Sequence, residues 1–167
     1  MELLHAVKEA CLQRFEESGE RIQICISKLD EKQLLYRHND VSNSIANIIV
    51  HLGGNITQYI LSGIGRLEDK RIRDREFLPL SNINKSDLAE RINAIFLDAR
   101  AVISAMDEFA CTRKLVLQVF EMTGIGAVIH VVEHASYHVG QITYLTKMYT
   151  GEETKYFDGI DLNVHNA

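Results

Sequence analysis

The scarcity of proline is the feature that most constrains the fold of this chain. Pro79 is the only proline among 167 residues. An all-β or α/β chain of this length normally places more prolines in its turns, and proline also interrupts helices. We therefore expect long helices, and the length suits a single domain, residues 1–167, with one apolar core.

Residues 3–29 are predicted to form a long first helix. Apolar or small residues recur there at alternating spacings of three and four, which draws one buried stripe along a helix. The stripe consists of Leu4, Val7, Cys11, Phe15, Ser18, Ile22, Cys25 and Leu29. The polar segment 30–40 breaks this pattern. Ser42, Asn43 and Ser44 then offer capping oxygens to a second helix that runs to about Ile64.

The segment after the second helix is predicted to be an exposed crossover. Residues 66–76 form a run of mixed charge, and residues 79–84 are rich in turn-forming residues. Asp87, followed three residues later by Glu90, resembles a capping box. Apolar residues at helical spacing from Leu88 to Met106 then predict the third helix.

The last third of the chain contains one ambiguous segment and one long helix. Residues 111–122 are β-branched and alternating in part, so they are either extended or a short irregular connection. Residues 123–149 predict a fourth helix that stops at Gly151, and apolar residues of the tail 152–167 could pack back on it. Four long helices without an internal repeat favour an all-α four-helix bundle, in which cofactor sites lie between facing helices.

Composition and charge exclude several classes of function. The formal net charge of -5 leaves no basic footprint for nucleic acid. No segment approaches eighteen uninterrupted apolar residues, and the N-terminus has no secretory pattern, so we expect a cytoplasmic protein without a membrane partner. The three cysteines form no CxxC pair and are interpreted as buried free thiols.

His134 and His138 are four residues apart in the predicted fourth helix. At this spacing both imidazoles project from the same face on successive turns. Imidazole nitrogen suits zinc, copper, nickel and iron, and a rigid helix fixes two such ligands at little entropic cost. The pair is a candidate for metal binding, but chance spacing is also easy in a chain with seven histidines.

Neutral polar residues form a stripe along the predicted second helix, beside its apolar face. They are Asn43, Asn47, His51, Asn55 and Gln58. A solvent-exposed stripe more often carries Lys and Glu, so the alternative to a solvent face is a polar pocket between helices.

The fourth helix has a comparable polar face, and the two faces are expected to meet. Its members are His130, His134, Tyr137, His138, Gln141 and Tyr144. Gly53, Gly54 and Gly140 each cost about 1 kcal/mol of helix propensity relative to alanine. Close approach of the helices near the histidines would offset that cost.

Two segments strongly resemble signature motifs of the DinB-like superfamily. They are IHVVEHASYHVGQI at residues 129–142 and IVHLGGN at residues 49–55, and the length and helix plan of the whole chain are also similar. Residues 71–77, RIRDREF, resemble a branch of the superfamily with unknown function.

The resemblance implies an up-down-down-up bundle with a long crossover between its second and third helices. It also implies that His51, His134 and His138 hold one divalent metal ion, with zinc or nickel as the expected metal. Asn55, Tyr137 and Gln141 are candidate neighbours of the site. No catalytic residue follows from the resemblance.

The remaining histidines are interpreted by position. His130 lies one turn before His134, but residues eight apart on a helix are separated by about 12 Å of rise. His130 is thus either a ligand or, as the spacing favours, a neighbour of the site or a bundle-interface residue. His5, His38 and His165 lie near the termini or in a loop and are expected on the surface.

Three neutral imidazoles would leave the full charge on the metal, which lowers the pKa of a bound water or thiol. Characterised members of the superfamily use the metal with a low-molecular-weight thiol such as mycothiol or bacillithiol. The resemblance therefore implies a thiol S-transferase that acts on small electrophiles. The basic residues of the 66–76 run either bind carboxylates of that thiol or belong to a solvated crossover with local ion pairs. They are Arg66, Lys70, Arg71, Arg73 and Arg75.

Two other functions stay open. A metal-dependent hydrolase needs a general acid or base beside the metal, and the nearest carboxylate in sequence, Glu133, points about 100° away from His134 on a helix. Tyr137 and Gln141 are better placed as hydrogen-bonding neighbours. A non-catalytic, stress-associated metal-binding protein that forms a homodimer is the third possibility.

Overall fold

Four long helices dominate the computed structural model, which describes residues 2–165. Helix α1 spans Glu2–Lys28, and α2 is a short helix at Glu31–Leu35. Helix α3 spans Ile45–Ile56 and continues as a π-helix over Thr57–Ser62. A 3-10 helix at Arg73–Phe77 lies in the crossover to α4, Lys85–Ser104. Helix α5 (Glu108–Thr112), strands β1 (Lys114–Leu117) and β2 (Phe120–Thr123), and α6 (Gly124–Thr150) complete the chain.

Contacts at the helix ends fix the direction of α1 relative to α4 and α6. Lys8, near the start of α1, donates to the carbonyl of Ser104 at the end of α4, at 3.0 Å. Lys28, at the end of α1, lies 3.0 Å from Glu152 just beyond α6. Helix α1 is therefore antiparallel to α4 and parallel to α6.

The direction of α3 follows from its neighbours. Tyr59 stacks on His130 while His51, earlier in α3, contacts His138, later in α6, so these helices are antiparallel. Gly53 faces Ile95, and Gly65, just beyond α3, faces Val102, so α3 and α4 run parallel. The order is up-down-down-up, and the predicted crossover between the second and third long helices is confirmed.

Side chains from all four helices fill one apolar core. Its fully buried members include Phe15, Ile22, Ile45, Leu52, Ile56, Ile103, Val131, Ala135 and Ile142. Within each helix, the spacing of these residues fits the three-and-four pattern that also predicted the stripe of α1. Helix α1 packs mainly on α4 and α6. The core therefore holds α3 and α6 side by side, and the polar faces of these two helices meet.

Local side chains determine where the long helices begin. Ser44 accepts from the backbone amide of Asn47 at the start of α3, and Thr123 accepts from Gly126 at the start of α6. The predicted capping box at Asp87 and Glu90 is wrong, because the N-cap of α4 is Asn84, which accepts from Ser86 and Asp87. Gly151 ends α6 in the left-handed conformation that glycine adopts readily, with φ 69°.

The segment 111–122, left open by the sequence, is largely a β-hairpin. Strands β1 and β2 pair antiparallel with Lys114 opposite Thr123 and Leu117 opposite Phe120. The polar segment 30–40 also contains the short helix α2, which has a complete capping box between Asp30 and Gln33. Both short elements escape a search for long periodic patterns.

Two further predictions concern the tail and the cysteines. In the tail, Tyr156 packs against the bundle, and its hydroxyl forms hydrogen bonds with the side chains of Cys25 and Thr143. The apolar side chains of Phe157, Ile160 and Leu162 are exposed. Cys25 and Cys111 are buried free thiols as expected, and Cys11 is partly buried. None of the helices within residues 2–165 is long and apolar enough to cross a membrane.

Two glycines of α6 provide a matched test of helix packing. A methyl group at Gly124 would overlap the backbone carbonyl of Ala110, whereas one at Gly140 would meet no described atom within 4 Å outside the backbone of its own helix. Gly140→Ala is expected to raise the free energy of unfolding by up to about 1 kcal/mol. Gly124→Ala should lower it by roughly 1–3 kcal/mol, because a backbone group must shift.

Urea denaturation of the two variants measures both effects. Equal stabilisation by both alanines would contradict the close packing of α6 on α5.

Candidate metal centre

Three imidazoles meet where α3 faces α6. His51 comes from α3, and His134 and His138 come from successive turns of α6. One nitrogen from each ring lies within 4.8 Å of the others, so the three histidines could hold a metal ion. Nε2 of His51 is 3.1 Å from Nε2 of His134.

A buried carboxylate fixes the orientation of the His51 ring. Oε2 of Glu76, in the 3-10 helix of the crossover, lies 2.8 Å from Nδ1 of His51. A carboxylate accepts only, so Nδ1 carries the proton and Nε2 presents its lone pair. Such a carboxylate–histidine pair is the usual way to fix the tautomer of a metal-binding histidine.

Arg71 balances the charge of Glu76. Its Nε donates to Oε1 of Glu76 at 2.7 Å and its Nη2 donates to Oε2 at 2.9 Å, which makes a bidentate pair. The side chains of Arg71 and Glu76 are only 5% and 8% exposed. Burial raises the pKa of Glu76, but the hydrogen bonds from Arg71 and His51 and the positive charge of Arg71 outweigh it and hold that pKa below its usual value.

Gly54 makes room for this pair against α3. A methyl group at residue 54 would overlap the Glu76 carboxylate and approach Nε of Arg71 to 3.0 Å. The glycine therefore lets the crossover lie directly on the helix beside His51. The prediction that glycine permits a close approach near the histidines is confirmed for Gly54, although the neighbouring segment is the crossover and not α6. The prediction is wrong for Gly140.

Gln141 orients His138 in a comparable way. Nδ1 of His138 lies 2.8 Å from Oε1 of Gln141, one turn further along α6, and donates to it. Nε2 of His138 is buried and has no hydrogen-bond partner among residues 2–165. A buried polar atom without a partner is costly, and a metal bound by the three Nε2 atoms would satisfy it.

The protonation state of the rings suits a cation. Burial, together with the neighbouring His138, His51, His130 and Arg71, lowers the pKa of His134 to about 3. Burial also lowers the pKa of His138, although its bond to Gln141 opposes the shift. Metal ligation requires neutral imidazole, and these two rings are neutral near pH 7.

The spacing of the donor atoms also fits a metal. Two nitrogens that bind zinc tetrahedrally at about 2.0–2.1 Å lie about 3.3 Å apart. The 3.1 Å between Nε2 of His51 and Nε2 of His134 is close to that value. The residues present therefore fit a divalent ion held by three imidazoles.

Other candidates from the sequence take different positions. Asn55 is buried one turn beyond His51, and its Oδ1 has no partner within the described chain. Tyr137 is 64% exposed, and the structure gives its hydroxyl no hydrogen bond to any residue in the range 2–165. His130 is sandwiched between Tyr59 and His134, with ring centroids at 4.5 and 5.7 Å, and lies outside the group of three.

The surface histidines are where the sequence placed them, since His5, His38 and His165 are exposed.

The crossover contains the residues that sequence reasoning missed. It was predicted as an exposed charge run, yet Arg71 and Glu76 are buried and Phe77 lies against the His51 ring, with centroids 4.9 Å apart. The interpretation of local ion pairs holds for Arg71, which pairs with Glu76, and for Lys70, which pairs with Glu68. The feature of the sequence that could have identified these residues was the resemblance of residues 71–77 to a branch of the superfamily.

Solved structures with the same fold place the chain in a class. A conserved protein from Enterococcus faecalis superposes with a TM-score of 0.72 at 11% identity, covering 86% of this chain and 97% of that chain. A DinB-like protein from Bacillus cereus superposes with a TM-score of 0.64 at 20% identity, covering 84% and 91%. The protein has the same helical-bundle fold as these two proteins, one of which is described as DinB-like.

The sequence itself matches the model of one family over residues 4–159. The chain belongs to that family, described as a protein of unknown function (DUF1572), within the DinB-like clan. No curated protein matches the sequence.

Glu76 can be tested apart from the ligands. Glu76→Gln removes the charge that pairs with the proton of His51 Nδ1, so affinity for zinc or nickel is expected to fall about 10–100-fold. The variant should also be less stable, because Arg71 loses its buried partner. Glu68→Gln is the matched control, since Glu68 is an exposed carboxylate of the same crossover, paired with Lys70.

Metal titration of the folded variants, with circular dichroism as the check of folding, gives the comparison. Unchanged affinity in Glu76→Gln would show that this carboxylate does not orient a ligand.

Proposed function

We propose that the protein binds one divalent metal ion through Nε2 of His51, His134 and His138. The observation that carries this proposal is the convergence of three buried or partly buried imidazoles, two of them with Nδ1 occupied by Glu76 and Gln141. Each of those bonds turns an Nε2 lone pair toward the common centre. Zinc and nickel are the proposed metals, because imidazole donors suit both.

We further propose that the metal serves thiol chemistry on a small electrophile. When bound, a divalent ion held by three neutral ligands lowers the pKa of a thiol at its open position and so supplies a nucleophile near neutral pH. His51, His134 and His138 contribute no negative charge. Glu76 is neutralised by Arg71, so the protein leaves the charge of the ion largely uncompensated.

Arg73 is the proposed anchor for a carboxylate of the thiol. Its guanidinium lies 4.8 Å from the centre of the Phe77 ring, and that ring lies against His51. Arg71 cannot serve in this role, because Glu76 and the side chain of Gln58 occupy its donors. Arg73 is exposed and can bind a carboxylate without breaking a buried pair.

Hydrolysis is less well supported by the same geometry. Glu76 is the carboxylate beside the histidines, but Oε1 accepts from Arg71 and Oε2 accepts from both Arg71 and His51. These contacts hold the pKa of Glu76 below its usual value, which makes it a weak base, whereas a general base works best with a pKa near the operating pH. Glu76 is therefore a positioning residue.

Metal content of single variants tests the ligand set. Wild-type protein is expected to bind one zinc or nickel ion per chain, and His51→Ala, His134→Ala and His138→Ala should each weaken binding more than about 100-fold, beyond the loss typical of a residue that only orients a ligand. His130→Ala is the control from the same helix and should retain the metal. Native mass spectrometry and elemental analysis provide the readout, and stoichiometric metal in His51→Ala would contradict the proposal.

Conjugation assays test the chemistry. Metal-loaded protein is expected to accelerate the reaction of bacillithiol or mycothiol with a chlorodinitrobenzene, whereas metal-free protein and His134→Ala should not. Arg73→Gln should raise KM for bacillithiol, which carries free carboxylates, with little change in kcat, and leave the reaction of mycothiol, which has no free carboxylate, unaffected.

A metal-loaded protein without any rate above the uncatalysed reaction would refute the transferase proposal and leave a non-catalytic metal-binding protein. Turnover of activated esters in the absence of thiol would indicate a hydrolase.

A further inference from the structure

Arg71 and Glu76 also line a cavity that the three histidines do not reach. Its volume is about 330 Å³, and it is bounded by α3, α4 and residues 68–76 of the crossover. His51, His134 and His138 do not line it. The cavity is thus separate from the candidate metal centre, although Arg71 and Glu76 form part of the wall of both.

The interior of the cavity is apolar. Ile49 from α3 and Leu88, Ile92 and Ile95 from α4 contribute aliphatic surface. Gly53, where a side chain would otherwise project toward Ile95 and Ile92, leaves that surface open. Small-molecule sites are mostly apolar clefts of about 300–1,000 Å³ with a few polar groups that fix orientation, so this cavity has the size of a site for a small ligand.

Among the residues that the structure describes, one cationic side chain of the cavity wall has no acidic partner. Lys70 pairs with Glu68 at 2.7 Å, and Arg71 pairs with Glu76 at 2.7 Å. Arg91 also lines the cavity, and it makes no ion pair or side-chain hydrogen bond with any of residues 2–165. Its side chain is exposed, and Ile72, another residue of the cavity wall, is half-exposed. An apolar cavity with one unpaired guanidinium at its rim complements a ligand with an apolar body and a single negative charge.

We propose that this cavity binds a small monocarboxylate with an aliphatic or aromatic body. The carboxylate would pair with Arg91, for which a planar bidentate contact is the favoured geometry. The apolar body would lie on Ile92 and Ile95. Because the cavity contains none of the metal ligands, binding does not require the metal, and the proposal stands or fails independently of the proposed function.

Calorimetric titration of the full-length, metal-free protein with octanoate tests the site. Octanoate is expected to bind with a stoichiometry of one, while acetate, which lacks the body, and octylammonium, which has the opposite charge, should not. Arg91→Gln should weaken octanoate binding about 10–100-fold, as expected for the loss of a charge-assisted bond. Arg75→Gln is the matched control, because Arg75 is an exposed arginine that does not line the cavity.

A second pair of variants tests the apolar part. Ile95→Trp fills the cavity and should abolish binding, whereas Leu97→Trp, at an exposed position of the same helix outside this cavity, should not. Circular dichroism confirms that each variant is folded. Absence of saturable octanoate binding, equal affinity in Arg91→Gln and wild type, or unchanged binding in Ile95→Trp would each overturn the proposal.

Discussion

The buried ion pair between Arg71 and Glu76 is the interaction on which the candidate site depends. It joins an irregular crossover to a helix, since Glu76 also binds Nδ1 of His51. Removing two charges from water costs several kcal/mol per ion, and the cost is repaid only when the geometry and the remaining hydrogen bonds are good. Here both carboxylate oxygens have partners, and Gln58 accepts from Nη1 of Arg71 at 2.9 Å. The pair therefore contributes most by fixing where the crossover lies and which nitrogen His51 presents.

The same pair connects two regions with different properties. One region holds two α6 imidazoles, His134 and His138, whose pKa values are lowered mainly by burial. The other region is an apolar cavity lined by Arg91, which makes no ion pair or side-chain hydrogen bond with residues 2–165. A displacement of Glu76 would alter both regions, because its carboxylate lines the cavity and also forms a hydrogen bond with the ring of His51. Rigid packing of Gly54 against Glu76 limits such a shift.

The helices were predictable because their signals are local and repeated. Helices α1 and α6 extend over 27 residues each, so a periodic stripe defines them even where single residues deviate. The polar stripes of α3 and α6 also indicated a pocket, and the HxxxH pair together with the family resemblance identified its histidines. The short strands were left open and the short helices were missed, since four-residue strands and five-residue helices contain too few residues to show a period.

The support of the site could not be predicted from local patterns. Glu76 is 25 residues from His51 in sequence, and a charged residue within a charged run is normally solvated. Its burial follows from three tertiary conditions, namely Arg71 as a partner, the absence of a side chain at Gly54, and the His51 proton that it accepts. Gln141 was easier to anticipate, because a residue three positions after His138 on the same helix lies beside it.

Anomalous diffraction from a crystal of the protein loaded with zinc or nickel tests the central claim most directly. One anomalous peak per chain is expected, about 2.0–2.1 Å from Nε2 of each of His51, His134 and His138 for zinc, with Nδ1 of His51 still bonded to Glu76. A peak at another group of residues, or ligation of His51 through Nδ1 with Glu76 displaced, would contradict it.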